Sequence, residues 1–528
     1  MKKVLSFLLI FVCISCSSNT AVTNTAVTKT TVTKTGNNSV VDELHGLDKV
    51  SYTTYAEYVD KAGGNLDNSN GASKTEVSYI DASNAGSSNM EATNAGVSIS
   101  DNSDAYYPNT YHNNRYDSKK DDMMLIYYGN KNRSKWGKSD LETIVMHKFG
   151  DGHREWFFPS FLYLEFKNDE GYKFGDNQPG EKGAANKGHW EWLLNRYFST
   201  AYNGGNFEGL KALDECIEDC KKILGKPAFR HKVYLSVPSP CTDFTEWGSI
   251  KKNGRTIKLD FRNREHRLEA VKWFIDEAIR RFEAQHYKNI TLEGLYWVEE
   301  TALMIRWHKD NKTGEWTNKT GEKYDYINGA KIREDNIIIK DVSNYIHSKG
   351  FKFYWIPYNK ASLNETWKTL GFDRCDFQTG YFWGTPDLLR GSKSLKTMSD
   401  ARTICDLAIK NGMGVEFEIS TDLFVPCYGK LKKKQDIERP YEVVKVAGCN
   451  KKPREMEALG YKHYDYNPCL LQRLKNLMTI FEEQGVFERS NISYYESSII
   501  RKMINSNDKE IIQIVDRLAR HISRRRNK

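Results

Sequence analysis

The sequence predicts a (β/α)8 barrel behind a low-complexity N-terminal segment, and three observations carry that prediction. From Asp121 onward, eight strand-like apolar runs follow one another, and all but one after the first are preceded by clear helical sequence. That is the alternation of a parallel barrel. The run 412–420, Gly-Met-Gly-Val-Glu-Phe-Glu-Ile-Ser, places Val415, Phe417 and Ile419 on one face and Glu416 and Glu418 on the other. It follows a helix stop at Asn411-Gly412, so its polar face has a barrel interior to point into. A doubly wound open sheet is the alternative, but it would normally carry a Gly-rich phosphate loop after the first strand, and Gly129-Asn130-Lys131 is not one.

The elements follow in order. Residues 1–16 read as a targeting segment: Lys2-Lys3, an apolar run over 4–14, then Ser15-Cys16. The run is too short to span a bilayer. It resembles a bacterial lipoprotein signal, which implies cleavage before Cys16, a lipid on that cysteine, and anchoring at an outer membrane or cell surface. Cys13 stands where such signals more often have Leu. Residues 17–118 are Ser/Asn/Thr/Ala-rich, with near-repeats at 19–23 and 24–28. So few large apolar residues cannot offset ordering entropy. The segment is expected to be a disordered tether with a reach of about 50–60 Å, carrying at most a short helix over 52–61. Residues 119–528 are expected to form the barrel.

Within the barrel the predicted strands are 123–128, 161–166, 232–237, 292–298, 351–357, 374–378, 412–420 and 492–496. Helical patterns are placed at 190–198, 210–224, 265–284, 336–348, 362–370, 399–410, 470–484 and 510–521. The connection around 141–149 is poorly defined. Residues 301–334 read as a polar insertion and a candidate active-site loop, and 421–467 as a long loop.

The formal net charge of +9 is small for 528 residues and comes without a nucleic-acid motif, so it reads as a solubility feature and gives no nucleic-acid partner. The cluster Arg524-Arg525-Arg526 ends the last helix, where cations suit the dipole. Eight cysteines follow residue 200, and none of them forms a CxxC pair. Cys216 and Cys220 lie one helical turn apart and are expected to pack; Cys427 and Cys449 are the pair to test for a disulfide. With no HExxH sequence either, no metal or cofactor is expected.

Acids end strand four, at Glu299 and Glu300, and lie on strand seven, at Glu416 and Glu418. Carboxylates at those two strand ends are the arrangement of retaining (β/α)8 glycosidases. One must be held protonated to donate to the leaving oxygen, and the other ionised to attack or stabilise the sugar cation. Reading Leu292, Tyr296 and Val298 as helix-facing puts Trp297 and Glu299 inside. Glu300 is inside only if the strand ends or bulges there. Glu300 is nonetheless the preferred acid, with Glu299 as its rival, and Glu418 the partner, with Glu416 deeper. Trp297, Trp355, Tyr358, Tyr381, Phe382, Trp383 and Tyr495 form an expected aromatic rim for sugar rings, and Gln378 a hydroxyl partner. Glu165 reads as either a site residue or a solvated carboxylate.

The segments Phe161-Leu162-Tyr163-Leu164, 232–240, Gly294-Leu295-Tyr296-Trp297-Val298-Glu299-Glu300, Trp355-Ile356-Pro357-Tyr358, Leu370-Gly371-Phe372-Asp373, 378–382 and 412–418 together resemble domain of unknown function 4855. The resemblance spans about residue 121 to the C-terminus. It implies a glycosidase-like barrel in secreted bacterial proteins and lipoproteins. The family tends to have Gln-Pro-Asn-Tyr where this chain has Gln378-Thr379-Gly380-Tyr381, a second Tyr where Asn359 stands, and Asp where Ser420 stands. The expected function is a surface-tethered glycoside hydrolase acting on an external polysaccharide or glycan. Its rivals are a non-catalytic glycan-binding barrel and a surface interaction lipoprotein.

Overall fold

The structure is a computed structural model. It describes residues 120–175, 182–198, 209–242, 244–301, 308–309, 316–317, 324–327, 330–333, 337–358, 366–382, 396–432, 436–506 and 508–526. The expected lipidation site Cys16, the tether, the helix at 52–61, Trp383 and most of the 301–334 insertion therefore lie outside the described residues.

Eight parallel strands close into one barrel. They are β1 (Asp122–Tyr127), β2 (Ser160–Leu164), β3 (His231–Val237), β4 (Ile290–Trp297), β5 (Lys352–Trp355), β6 (Arg374–Gln378), β7 (Gly414–Glu418) and β8 (Ile492–Tyr495). The register closes because β1 pairs with β2 on one side and with β8 on the other. The helices include α1 (Lys138–Val145), α2 (Lys187–Phe198), α3 (Gly209–Leu224), α4 (Arg264–Ala284), α5 (Ile339–Ser348), α6 (Thr366–Thr369), α7 (Met398–Lys410), α8 (Pro468–Glu483), α9 (Ser497–Ile504) and α10 (Lys509–Arg526). Their starts are written locally. Asn263 accepts from the Glu265 amide ahead of α4, Thr397 and Asp400 form a capping box on α7, and Asn467 caps α8 with Pro468 at its first turn. The poorly defined connection around 141–149 is α1 followed by a hairpin of 146–148 and 154–156. The long 421–467 loop carries a three-stranded antiparallel sheet of Cys427–Leu431, Tyr441–Lys445 and Lys462–Tyr464. Among the described residues, no helix is long and apolar enough to cross a membrane.

Alternation along the strands divides the core in two. Phe161, Tyr163, Val233, Leu235, Phe353, Trp355, Val415 and Phe417 pack outward against the helices. Met123, Leu125, Tyr127, Leu162, Tyr234, Tyr296, Val298 and Tyr354 pack together inside the barrel. The floor is polar and paired. Arg374 donates to Asp376 (Nε–Oδ1 3.0 Å, Nη2–Oδ2 2.6 Å) and to Asp121 (3.2 Å), and the Tyr354 hydroxyl donates to Asp376 at 2.8 Å. Buried charges are stable there only because each has a partner. Two C-terminal arginines tie α10 to the barrel: Arg525 pairs with Asp122 at 2.8 Å, and Arg526 donates to the Trp156 and Phe157 carbonyls.

One irregularity positions the site. Between β3 and β4 the register steps from Val233↔Leu292 to Tyr234↔Gly294, leaving Glu293 as an extra residue. Leu292 therefore faces the helices while Tyr296 and Val298 face the interior. The expected facing of strand four is overturned, because a one-residue slip exchanges the two faces of everything beyond it. Glycine is required at the step: a Cβ on Gly294 would collide with the Lys352 carbonyl oxygen of β5. Gly294→Val is expected to cost roughly 2 kcal/mol or more of stability, since the strands must part or the bulge must move. Urea unfolding would measure it, and a loss below about 0.5 kcal/mol would mean that the close approach is not a constraint.

Candidate active site

Strand β7 delivers two carboxyl groups to the interior while Val415, Phe417 and Ile419 enter the outer core. Glu418 is 1% exposed and its two oxygens are held from β6's end: Thr379 Oγ1 donates to Oε2 at 2.8 Å and the Gly380 amide to Oε1 at 2.9 Å. Gly380 has φ +64°, a left-handed conformation that favours glycine. Thr379 in place of Pro supplies the hydroxyl donor, which a proline side chain cannot, while the second donor is the backbone amide of position 380. Glu416, one layer deeper and 3% exposed, hydrogen-bonds no described residue. Burial first, and then the charges of Glu418, Glu300 and Asp376, hold its carboxyl well above the usual carboxylate range.

Beyond the bulge, Glu300 follows Tyr296 and Val298 on the inner face, half-buried at the mouth, and its carbonyl accepts from the Tyr358 amide at 3.0 Å. Burial pushes its carboxyl up to about 8; Glu299 and Glu418 push the same way, while a hydrogen bond from Gln378 and the charge of Lys173 oppose them. Gln378 is thereby a partner of the acid itself. Glu299 points elsewhere. It accepts from Thr301 Oγ1 at 2.9 Å, and its other oxygen lies 3.0 Å from where a Cβ on Gly175 would stand. So the structure brings Glu300, Glu416, Glu418 and Gln378 together and sets Glu299 to one side.

The aromatic rim is largely a different set from the expected one. Trp297 is 0% exposed on the helix side of β4, edge-on to Phe353. Trp355 is equally buried, stacked on Phe372 at 4.9 Å, and its indole donates to the Glu299 carbonyl at 2.8 Å. Tyr381 is also fully buried in the outer shell: its hydroxyl donates to Glu438 at 2.8 Å, and the Arg473 guanidinium lies 3.8 Å from its ring centre. None of these three is placed to meet a sugar. Strand-end aromatics fill the outer core as readily as the mouth, and only parity separates the two. Phe382 is likewise buried in the outer core, whereas Tyr358 and Tyr495 stay partly exposed. Tyr495 packs edge-on to Tyr127 at 5.4 Å, with Phe166 at 5.8 Å on the same ring. Tyr127 and Phe166 were missed, although alternation from Met123 puts Tyr127 inside.

Three further groups surround the acids. Glu165 is buried and ion-paired with Arg133 at 3.1 Å, so it is not solvated. Arg133 lies over the Tyr127 ring at 4.4 Å. Behind Glu418, Arg473 donates to the Tyr381 carbonyl and to Glu438 (3.0 Å), bracing the turn that holds the carboxylate. Nothing in the sequence pattern pointed to Arg133 or Arg473. A cleft of about 520 Å³, lined by Tyr172, Lys182, Asn186, His189, Phe244 and Glu246 among others, opens in the loops after β2 and β3 and does not include these acids. Among the described residues, no group of three or more His, Cys, Asp or Glu is arranged to hold a metal ion. The eight described cysteines are free thiols, Cys427 and Cys449 included. Cys427 Sγ faces the Tyr466 carbonyl and Cys449 Sγ that of Lys451.

The family model described as "Domain of unknown function (DUF4855)" matches residues 122–327 and 324–444. No curated protein matches the chain. Among solved structures, it is similar to the Bacillus cereus spore cortex-lytic enzyme SleL, with 11% identity, a TM-score of 0.31, and 75% of this chain and 74% of that one covered. It is also similar to the GH18 chitinase ChiB of Flavobacterium johnsoniae, with 8% identity, a TM-score of 0.30, and 77% and 95% covered. Likenesses at these scores carry no function.

The Glu300 carboxyl should leave a signature in stability. Its pKa is raised from 4.5 to about 8 in the folded state, so folded protein keeps a proton that the unfolded chain releases between those values. Relative stability is full below pH 4.5 and falls until pH 8, then levels off. Glu300→Gln, which cannot ionise, should gain melting temperature over the parent progressively across that window. A difference that does not change with pH would mean that Glu300 is ionised at neutral pH.

Proposed function

The chain belongs to the family described as domain of unknown function DUF4855, and because that name assigns no reaction, we propose one from the barrel mouth: hydrolysis of glycosidic bonds by two carboxyl groups in opposite protonation states. Glu300 is the general acid and Glu418 the ionised partner that attacks or stabilises the sugar cation. The observation that carries the reading is the asymmetry between them. Burial keeps Glu300 protonated at neutral pH, while two donors are aimed at the Glu418 oxygens. Gln378 orients the acid, and Glu416 lies below as a neutral group able to hydrogen-bond a sugar hydroxyl. The rings of Tyr127, Phe166 and Tyr495 offer a floor on which the apolar face of a sugar can rest.

The test is turnover on glycan substrates. Glu300→Gln and Glu418→Gln should each lose at least about a hundredfold in kcat with little change in binding, and Glu416→Gln should lose less. Activity of the parent should fall as pH rises through about 8, where the acid loses its proton. Gln variants that keep full activity would sink the mechanism. Glycan binding by a parent that shows no turnover would make the protein a binding module.

We further propose that the barrel is displayed from a bacterial outer membrane or cell surface on the 17–118 tether, through lipid on Cys16. The Lys-apolar-Ser-Cys sequence supports this. Cys16→Ala should leave an unprocessed precursor without acyl mass. A mature parent protein beginning elsewhere and lacking lipid would overturn the idea.

A further inference from the structure

The net charge of +9 is unevenly distributed. Residues 129–137, the loop after β1, hold Lys131, Arg133 and Lys135 and no acid. Residues 421–467, the excursion after β7, hold ten Lys and Arg against seven Asp and Glu. Each of those two segments has a surplus of three. Both leave the C-terminal ends of their strands, so both rim the end of the barrel that holds Glu300 and Glu418. Lys131, Lys135, Lys432, Lys451 and Arg454 are exposed in those two segments.

One of these cations is built into the mouth. Arg133 gives Nε and Nη2 to Glu165, at 3.2 and 3.1 Å, and its Nη1 bonds no described residue. Its side chain is 29% exposed and lies over Tyr127, an inner-face ring that sits in the fields of both Glu300 and Glu416. The ion pair fixes one edge of the guanidinium and leaves the other edge free to donate. A guanidinium is suited to planar or tetrahedral oxyanions, carboxylate or sulfate.

We propose that the glycan taken at this mouth is acidic, with a carboxylate or sulfate of the bound sugar received by Arg133 and the rest of the polyanion held by the basic loops after β1 and β7. This rests on the glycan-hydrolase reading above. The mouth tolerates such a ligand because two of its carboxyls, Glu300 and Glu416, are held protonated by burial. Were both ionised beside Glu418, their repulsion would oppose the attraction of the rim.

The experiment measures binding of the full chain to four polymers: polygalacturonate and its methyl ester, and dextran sulfate and dextran. The two pairs separate carboxylate from sulfate as the source of the anion. At least one acidic member should bind more tightly than its neutral partner. Arg133→Ala should weaken that binding about tenfold or more, with Arg133→Lys intermediate. The double variant Lys432→Gln/Arg454→Gln should weaken it and flatten its salt dependence. Lys211→Gln/Lys222→Gln, an equal charge loss on α3, should not. Because Arg133→Ala also strands Glu165, its melting temperature is compared with the parent, and the exposed Lys432/Arg454 pair gives an independent reading. Equal affinity for acidic and neutral polymers, or equal weakening by the α3 control, overturns the proposal. Glu418-dependent cleavage confined to a neutral glycan would overturn it while leaving the catalytic reading intact. Tight, Arg133-dependent binding of an acidic polymer without any cleavage would do the reverse.

Discussion

Carboxyl groups crowded where water is scarce are the constraint on which the mouth of this barrel depends. Two unit charges about 4 Å apart repel by about 4 kcal/mol even at an effective dielectric of 20. Glu300, Glu416 and Glu418 act on one another inside a closed barrel, with Asp376 beneath them. The fold resolves the conflict unevenly. Asp376 has Arg374 and the Tyr354 hydroxyl; Glu418 has Thr379 and Gly380; Glu416 has no described partner, and Glu300 has Gln378. Of these, Glu300 and Glu416 are held above the usual carboxylate range, by burial first and then by the neighbouring carboxyls.

That division rests on backbone features remote from the acids. The bulge at Glu293 turns Glu300 inward, and it persists because Gly294 lets β4 approach the Lys352 carbonyl. The left-handed Gly380 aims its amide at Glu418. Arg473 on α8 fastens the next carbonyl, that of Tyr381, and Glu438 from the excursion after β7 fastens the Tyr381 ring through its hydroxyl. Helix, excursion and turn therefore converge on a single carboxylate, so packing in the outer shell sets the chemistry of the inner one.

The barrel was legible because period-2 alternation and helix stops are local signals, and β7 reads correctly from Val415 to Ile419 without reference to any other strand. Strand four was misread for a definite reason. One extra residue exchanges the faces of a strand without changing its composition, so Leu292 and Tyr296 look alike in sequence and face opposite ways in the fold. The same slip moves Trp297 from the expected inner face to the helix side and leaves Glu300, not Glu299, facing the interior. Trp355 and Tyr381 failed differently, since an aromatic side chain at a strand end satisfies the outer core equally well. Arg133 and the basic rim were hidden by averaging: a net charge of +9 over 528 residues looks dilute until topology gathers two distant loops at one end of the barrel.

On the proposed reading, protonation serves two ends at once. A glycosidase acid must hold a proton at the pH where it works, and burial of Glu300 provides that. The same burial removes a negative charge from the mouth, as it does for Glu416, leaving Glu418 as the anion that faces the developing positive charge on the sugar. A polyanion can then be drawn in by the rim without meeting three carboxylates at the reacting bond. A site of the same shape with all three ionised would repel an acidic substrate and lack a proton donor together. Acid strength and substrate charge are thus not independent properties of this mouth, because both follow from how far water is kept from Glu300 and Glu416.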